Sequence, residues 1–129
     1  MRMNMKRLPF VLLIVGLAFG LASLSQGAEA VQPIVIDVRT VEEWNTGHLE
    51  GAILIPYEEI GDKIGPFVKD KSERIYVYCR SGRRAQIAKE TLEKMGYKDV
   101  VNLGNLEDAA KALKKIVKYG IYPAKSDRF

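Results

Sequence analysis

The sequence predicts a small α/β domain: a four- to five-stranded, mainly parallel sheet with helices on both faces. Three observations lead there. Short apolar runs recur at 34–38 (IVIDV), 52–55 (AILI), 74–79 (RIYVYC) and 100–103 (VVNL), the mark of strands buried on both faces. Stretches with helical spacing of apolar residues fall between and after them. Strands alternating with helices make βαβ units, whose crossovers keep neighbouring strands parallel.

Each element has its own signals. Thr40 and Glu43 form a T-x-x-E capping box that starts a short helix over 41–45, and Gly47 ends it. Pro56 closes the second strand, and 57–64 is predicted as a short helix stopped by Gly65-Pro66. A charged connection, 67–73, leads into the central strand. After it Ser81-Gly82 punctuates a turn, and Ala85, Ala88, Leu92 and Met95 recur at helical spacing up to Gly96. Asn105 is placed to cap a last helix whose stripe is Leu106, Ala109, Ala110, Leu113, Ile116 and Val117, with Gly120 as its stop. No order is predicted for 121–129.

The first thirty residues read differently. Arg2, Lys6 and Arg7 precede a nearly unbroken apolar run, and Ala28-Glu29-Ala30 fits a small-x-small cleavage site. That layout predicts a secretory signal peptide over 1–30 and a domain over 31–129. A retained membrane anchor is the competing expectation, since the run is near the lower limit for spanning. Of the 20 basic and 16 acidic residues, 17 and 15 lie beyond position 30, a formal charge of +2. Such balance argues against nucleic acid or an anionic membrane surface as partner.

Cys79 is the only cysteine. It has no partner within the chain, which excludes an intramolecular CxxC redox pair and any multi-cysteine metal site. No metal and no cofactor are expected. Cys79 stands at the end of a strand and directly before a helix N-terminus, where free N–H groups and the helix dipole favour an anion. Arg80, Arg83 and Arg84 add cations. Both effects stabilise thiolate over thiol, and the same groups suit an anionic substrate. The plain alternative is a small buried core residue beside a solvated basic turn. In open parallel sheets the site lies beyond the carboxyl ends of the strands, so Asp37 and Arg39 emerge at the same edge as Cys79.

These residues resemble the rhodanese domain family. D37-V-R39-x-x-x-E43-W44 with G47-H48-L49-E50-G51-A52 is similar to the family's N-terminal signature. C79-R80-S81-G82-R83-R84-A85 is similar to its active-site loop, and M95-G96-Y97 with V101-N102-L103-G104 continues the pattern. The resemblance covers about 34–117 and implies a single-domain thiosulfate sulfurtransferase of the periplasmic type. It implies that the Cys79 thiolate takes the outer sulfur of thiosulfate, releases sulfite, and passes the sulfur from a persulfide to cyanide or a thiol, a protein thiol included. Arg80, Ser81, Gly82, Arg83 and Arg84 would then form the substrate loop, with Arg80 and Arg84 favoured as the arginines that face the substrate. Asp37 and Arg39 would shape the site rim or serve as a structural ion pair. His48 is weighed as a base, but the thiol needs none; Trp44 is read as packing.

Two departures stand out. The strand that usually precedes the D-V-R strand is missing, which points to four strands, and Gly104-Asn105 replaces a paired glycine. Two other functions stay open. One is a persulfide carrier or binding module loaded by a partner. The other is a cysteine-dependent phosphatase or arsenate reductase, which needs C-x5-R; here the sixth residue after Cys79 is Ala85, and Arg84 comes one position early.

Overall fold

The computed structural model describes residues 31–122. Its strands are β1 (Ile34–Asp37), β2 (His48–Leu49), β3 (Ile53–Leu54), β4 (Arg74–Cys79), β5 (Asp99–Asn105) and β6 (Val117–Lys118). Its helices are α1 (Val41–Asn45), α2 (Ile60–Lys63), α3 (Arg83–Lys94) and α4 (Leu106–Leu113). Four strands form one parallel sheet in the order β3-β1-β4-β5, and β2 pairs antiparallel with β6 as a separate ribbon. The missing first strand therefore leaves four, as its absence from the sequence suggested.

Strand periodicity divides the interior into two cores. Neighbours along a strand point to opposite faces, so Ile36 and Val77 join Ile55, Ile60, Ala85, Ala88 and Leu92 under α2 and α3. Val35 and Tyr78 face the other way, onto Leu49 and Ala109. Helices thus cover both faces, and the central strands are apolar between Arg74 at the start of β4 and Asp37 at the end of β1 because both of their faces are buried.

The capping box forms as read: Thr40 Oγ1 accepts from the Glu43 amide at 3.2 Å, and the Glu43 carboxylate accepts from the Thr40 amide. Asn105 caps α4 by accepting from the Asp108 amide at 2.8 Å. The expected helix over 57–64 is shorter, with only Ile60–Lys63 helical after a turn.

The last helix corrects the expectation more sharply. It stops at Leu113, and Lys114 takes a left-handed conformation (φ 52°) as its C-cap. Ile116 and Val117 leave the helix, and Val117 pairs with Leu49 across the β2–β6 ribbon. Helical spacing continued past the end because pairing with a strand far back in the chain leaves no local trace. The predicted signal segment lies outside the described residues. Among those described, no helix is long and apolar enough to cross a membrane.

Candidate active site

The strand β4 delivers Cys79 to the carboxyl edge of the sheet. A register shift against β5 between Val77 and Cys79 sets the cysteine opposite Asn105. The chain then turns through Arg80, Ser81 and Gly82 into α3. Gly82 is left-handed (φ 91°) and is the N-cap of α3. It has no side chain to offer the helix, so the first-turn amides stay free to face the sulfur.

They do face it. The Gly82 amide donates to Cys79 Sγ at 2.9 Å. The thiol is fully buried, and burial pushes its pKa up. Hydrogen bonds from the amides of Ala85, Ser81, Gly82 and Arg84 more than offset that cost, and the net result lies below the ordinary thiol value. The sequence had credited arginine charge and the helix terminus alike; backbone amides supply the named stabilisation, as at other low-pKa cysteines before helices.

A second loop backs this cradle. Asn102 Nδ2 donates to the Gly82 carbonyl at 2.9 Å, and Asn102 Oδ1 accepts from the Gly104 amide at 2.9 Å. A Cβ on Gly82 would lie 3.4 Å from the Gly104 Cα. Gly82→Ala is expected to cost about 1–2 kcal/mol for the left-handed backbone. Movement of its amide should shift the Cys79 titration upward, read from the pH dependence of iodoacetamide alkylation.

The three arginines of the loop part company. Arg84 forms a two-pronged pair with Glu43, Nη1 to Oε1 at 2.7 Å and Nη2 to Oε2 at 2.8 Å. The sequence favoured Arg84 as a substrate-facing group; its guanidinium is committed to Glu43 instead, and it ties α3 to α1. That pairing was invisible because its partner lies 41 residues away, and Glu43 already had a role in the cap. Arg80 and Arg83 are exposed, and neither makes an ion pair among the described residues.

The hydrogen bond from Arg84 holds the Glu43 carboxyl down at about 2, with the Thr40 cap adding to it. A carboxyl whose folded pKa is depressed contributes stability above its unfolded pKa and loses it as pH falls toward the folded value. Stability should therefore decline between about pH 4.5 and 2, and the decline should be shallower in Glu43→Gln. Urea denaturation across that range checks it. Partial exposure of both side chains keeps the effect modest, on the order of 1 kcal/mol.

Asp37 and Arg39 form a buried pair at the end of β1. Asp37 is fully buried and Arg39 is 6% exposed. Arg39 Nε donates to Asp37 Oδ1 at 2.9 Å and Nη2 to Oδ2 at 2.7 Å. The Tyr78 hydroxyl donates to Asp37 Oδ2 at 2.7 Å and accepts from the Leu49 amide at 3.0 Å. Arg39 Nη2 also donates to the Gly47 carbonyl, which locks the start of β2. Burial works against the Arg39 cation, but the Asp37 hydrogen bond and charge hold its pKa above the ordinary value. Burial raises the Tyr78 hydroxyl, and the Asp37 charge raises it further. In the sequence Tyr78 reads only as a strand residue.

Over the cysteine lies an open pocket of about 390 Å³ lined by Arg39, Cys79, Arg80, Asn105, Leu106 and Glu107. His48 is not on that wall; its ring stacks on Trp44 at 3.6 Å, with Nδ1 3.1 Å from the Trp44 carbonyl oxygen. Trp44 is buried, as its packing role required. Among the described residues no His/Cys/Asp/Glu cluster could hold a metal.

A family model, the rhodanese-like domain, matches residues 21–108. The chain belongs to the rhodanese-like domain family. Its matched span starts inside the apolar N-terminal segment and closes in α4. The chain is 45% identical over 75 residues to the thiosulfate sulfurtransferase PspE of Escherichia coli, covering 58% of this chain and 72% of that protein. A putative sulfur carrier protein of Bacillus subtilis, YrkF, is 35% identical over 69 residues, which span 36% of its length. A solved rhodanese with anions from E. coli superposes with a TM-score of 0.63 at 39% identity, covering 69% of this chain and all of the other. The fold is thus rhodanese-like, and this rhodanese is a sulfurtransferase.

Proposed function

We propose that this rhodanese moves the outer sulfur of thiosulfate to cyanide or a thiol through a Cys79 persulfide. The thiolate attacks the sulfane sulfur, the sulfur–sulfur bond of thiosulfate breaks, and sulfite leaves with its electron pair. The acceptor then attacks the outer sulfur of the persulfide and Cys79 departs as thiolate, a ping-pong sequence. No external oxidant or reductant enters.

The observation that carries this reading is the cradle of amides around Cys79 Sγ at the floor of a pocket whose mouth holds Arg80, which makes no ion pair among the described residues. The amides of Ser81, Gly82, Arg84 and Ala85 stabilise charge on the sulfur each time it leaves. Arg80 attracts the sulfonate end of the donor. Ser81 and Arg83 enter as parts of the loop backbone, and Arg39, held by Asp37, forms part of the pocket wall. Thiosulfate is also named in the E. coli relative. A phosphatase reading lacks its arginine, since Arg84 is held by Glu43. We further place residues 1–30 as an export signal and the domain, 31–129, in the periplasm, on the charge, apolar run and small-residue site described above.

The test is the intact mass of the reduced domain after thiosulfate. Gain of one sulfur atom on Cys79 supports the persulfide; no gain with a free thiol and a folded chain overturns it. The likeness to the B. subtilis carrier makes single loading worth separating from turnover. Steady-state release of thiocyanate from thiosulfate and cyanide does so, because a carrier loads once and stops.

A further inference from the structure

The pocket wall carries two exposed, opposite charges that the sulfur-transfer reading uses unequally. Arg80 follows the cysteine, and Glu107 projects from the first turn of α4 on the same wall. Both are exposed, and neither is in an ion pair among the described residues. Among the described residues Glu107 is the only carboxylate lining this pocket. Acids in a first helical turn favour the helix dipole, and the neighbouring Asp108 occupies that turn as well. The mouth above the thiolate is therefore bipolar, while Cys79 beneath it is buried.

We infer that Arg80 and Glu107 make the persulfide selective for a small zwitterionic aminothiol as sulfur acceptor. The inference rests on the persulfide reading above and names the class of its second substrate. A dianionic donor gains from Arg80 and is opposed by Glu107, so Glu107 contributes nothing favourable to loading. An acceptor that carries an ammonium and a carboxylate around its thiol satisfies both. Its thiol loses a proton to solvent, and the thiolate attacks the outer persulfide sulfur. The Sγ–S bond breaks with its electron pair on Cys79 Sγ, and a small persulfide departs. Sulfur, charge and electrons balance within that step. About 390 Å³ holds a thiol of this size and excludes little else by volume alone, so charge is the discriminating property.

The experiment compares wild type with Glu107→Gln, using for each thiol the ratio between the two proteins so that intrinsic thiol nucleophilicity cancels. With thiosulfate as donor, kcat/KM for cysteine and cysteamine should fall about threefold to tenfold in Glu107→Gln. Values for 3-mercaptopropionate should hold or rise. A second arm needs no sulfur transfer: cationic and anionic methanethiosulfonate reagents modify the Cys79 thiolate directly. Their rate ratio should drop by a similar factor in the variant and the change should shrink at high salt. Loss of a dipole contact alone would lower stability and leave both ratios in place. Unchanged ratios in the reagent arm overturn the role of Glu107. Absence of persulfide with a changed reagent ratio overturns the donor reading and leaves the charge selectivity of the pocket standing.

Discussion

Cys79→Ser is expected to fold as the wild type does and to transfer no sulfur. Serine replaces one buried atom by a smaller one in a site already furnished with amide donors, so the fold loses little. The chemistry loses its basis. A hydroxyl is not ionised at neutral pH, and an oxygen nucleophile cannot form the persulfide. Removal of a nucleophile that works as part of a unit lowers turnover by factors on the order of 10⁴ or more. Thiocyanate formation should therefore fall to background, with far-ultraviolet dichroism and the urea midpoint close to wild type. Measurable turnover by the folded variant would remove Cys79 from the mechanism.

Asp37→Ala should produce the largest loss of stability. It strips the acceptor from the Arg39 guanidinium, the Arg39 amide and the Tyr78 hydroxyl together, and all three sit where water is largely excluded. Breaking one partner of a buried ion pair costs about 3–5 kcal/mol, against a total stability of about 5–15 kcal/mol for a domain. Urea denaturation should show a midpoint lowered accordingly. Replacing both members, Asp37→Leu with Arg39→Met, should recover much of that loss, because no charge is then left buried without a partner. Tyr78→Phe should cost about 1.5–3 kcal/mol, the range for a hydrogen bond to a charged group. A cost below 1 kcal/mol for Asp37→Ala would mean that water reaches the pair.

Local signals carried the fold where their causes are local. Apolar runs marked the four parallel strands, and Thr40, Glu43 and Asn105 announced helix starts within a few residues of their partners. The strand–turn–helix around Cys79 was legible for the same reason. What stayed hidden depends on residues far apart in the chain. Leu49 with Val117 and Glu43 with Arg84 meet only after the sheet forms, so the ribbon and the fate of Arg84 had no local trace. Tyr78 was hidden differently: on a strand buried on both faces, an aromatic side chain reads as packing, and its hydroxyl chemistry emerges only beside Asp37.

The depth of Cys79 also settles what kind of oxidation it can undergo. Its side chain is buried at the floor of the pocket, and a disulfide requires Cα atoms within about 7 Å of each other. Two folded copies cannot bring their backbones that close through a pocket walled by Arg80, Leu106 and Glu107. Covalent homodimers are therefore closed to the native chain even under oxidising conditions, where exposed single cysteines cross-link. The pocket that Cys79 lines admits small reagents, so oxidation of this sulfur is expected to run toward sulfenic acid, which a small thiol reverses.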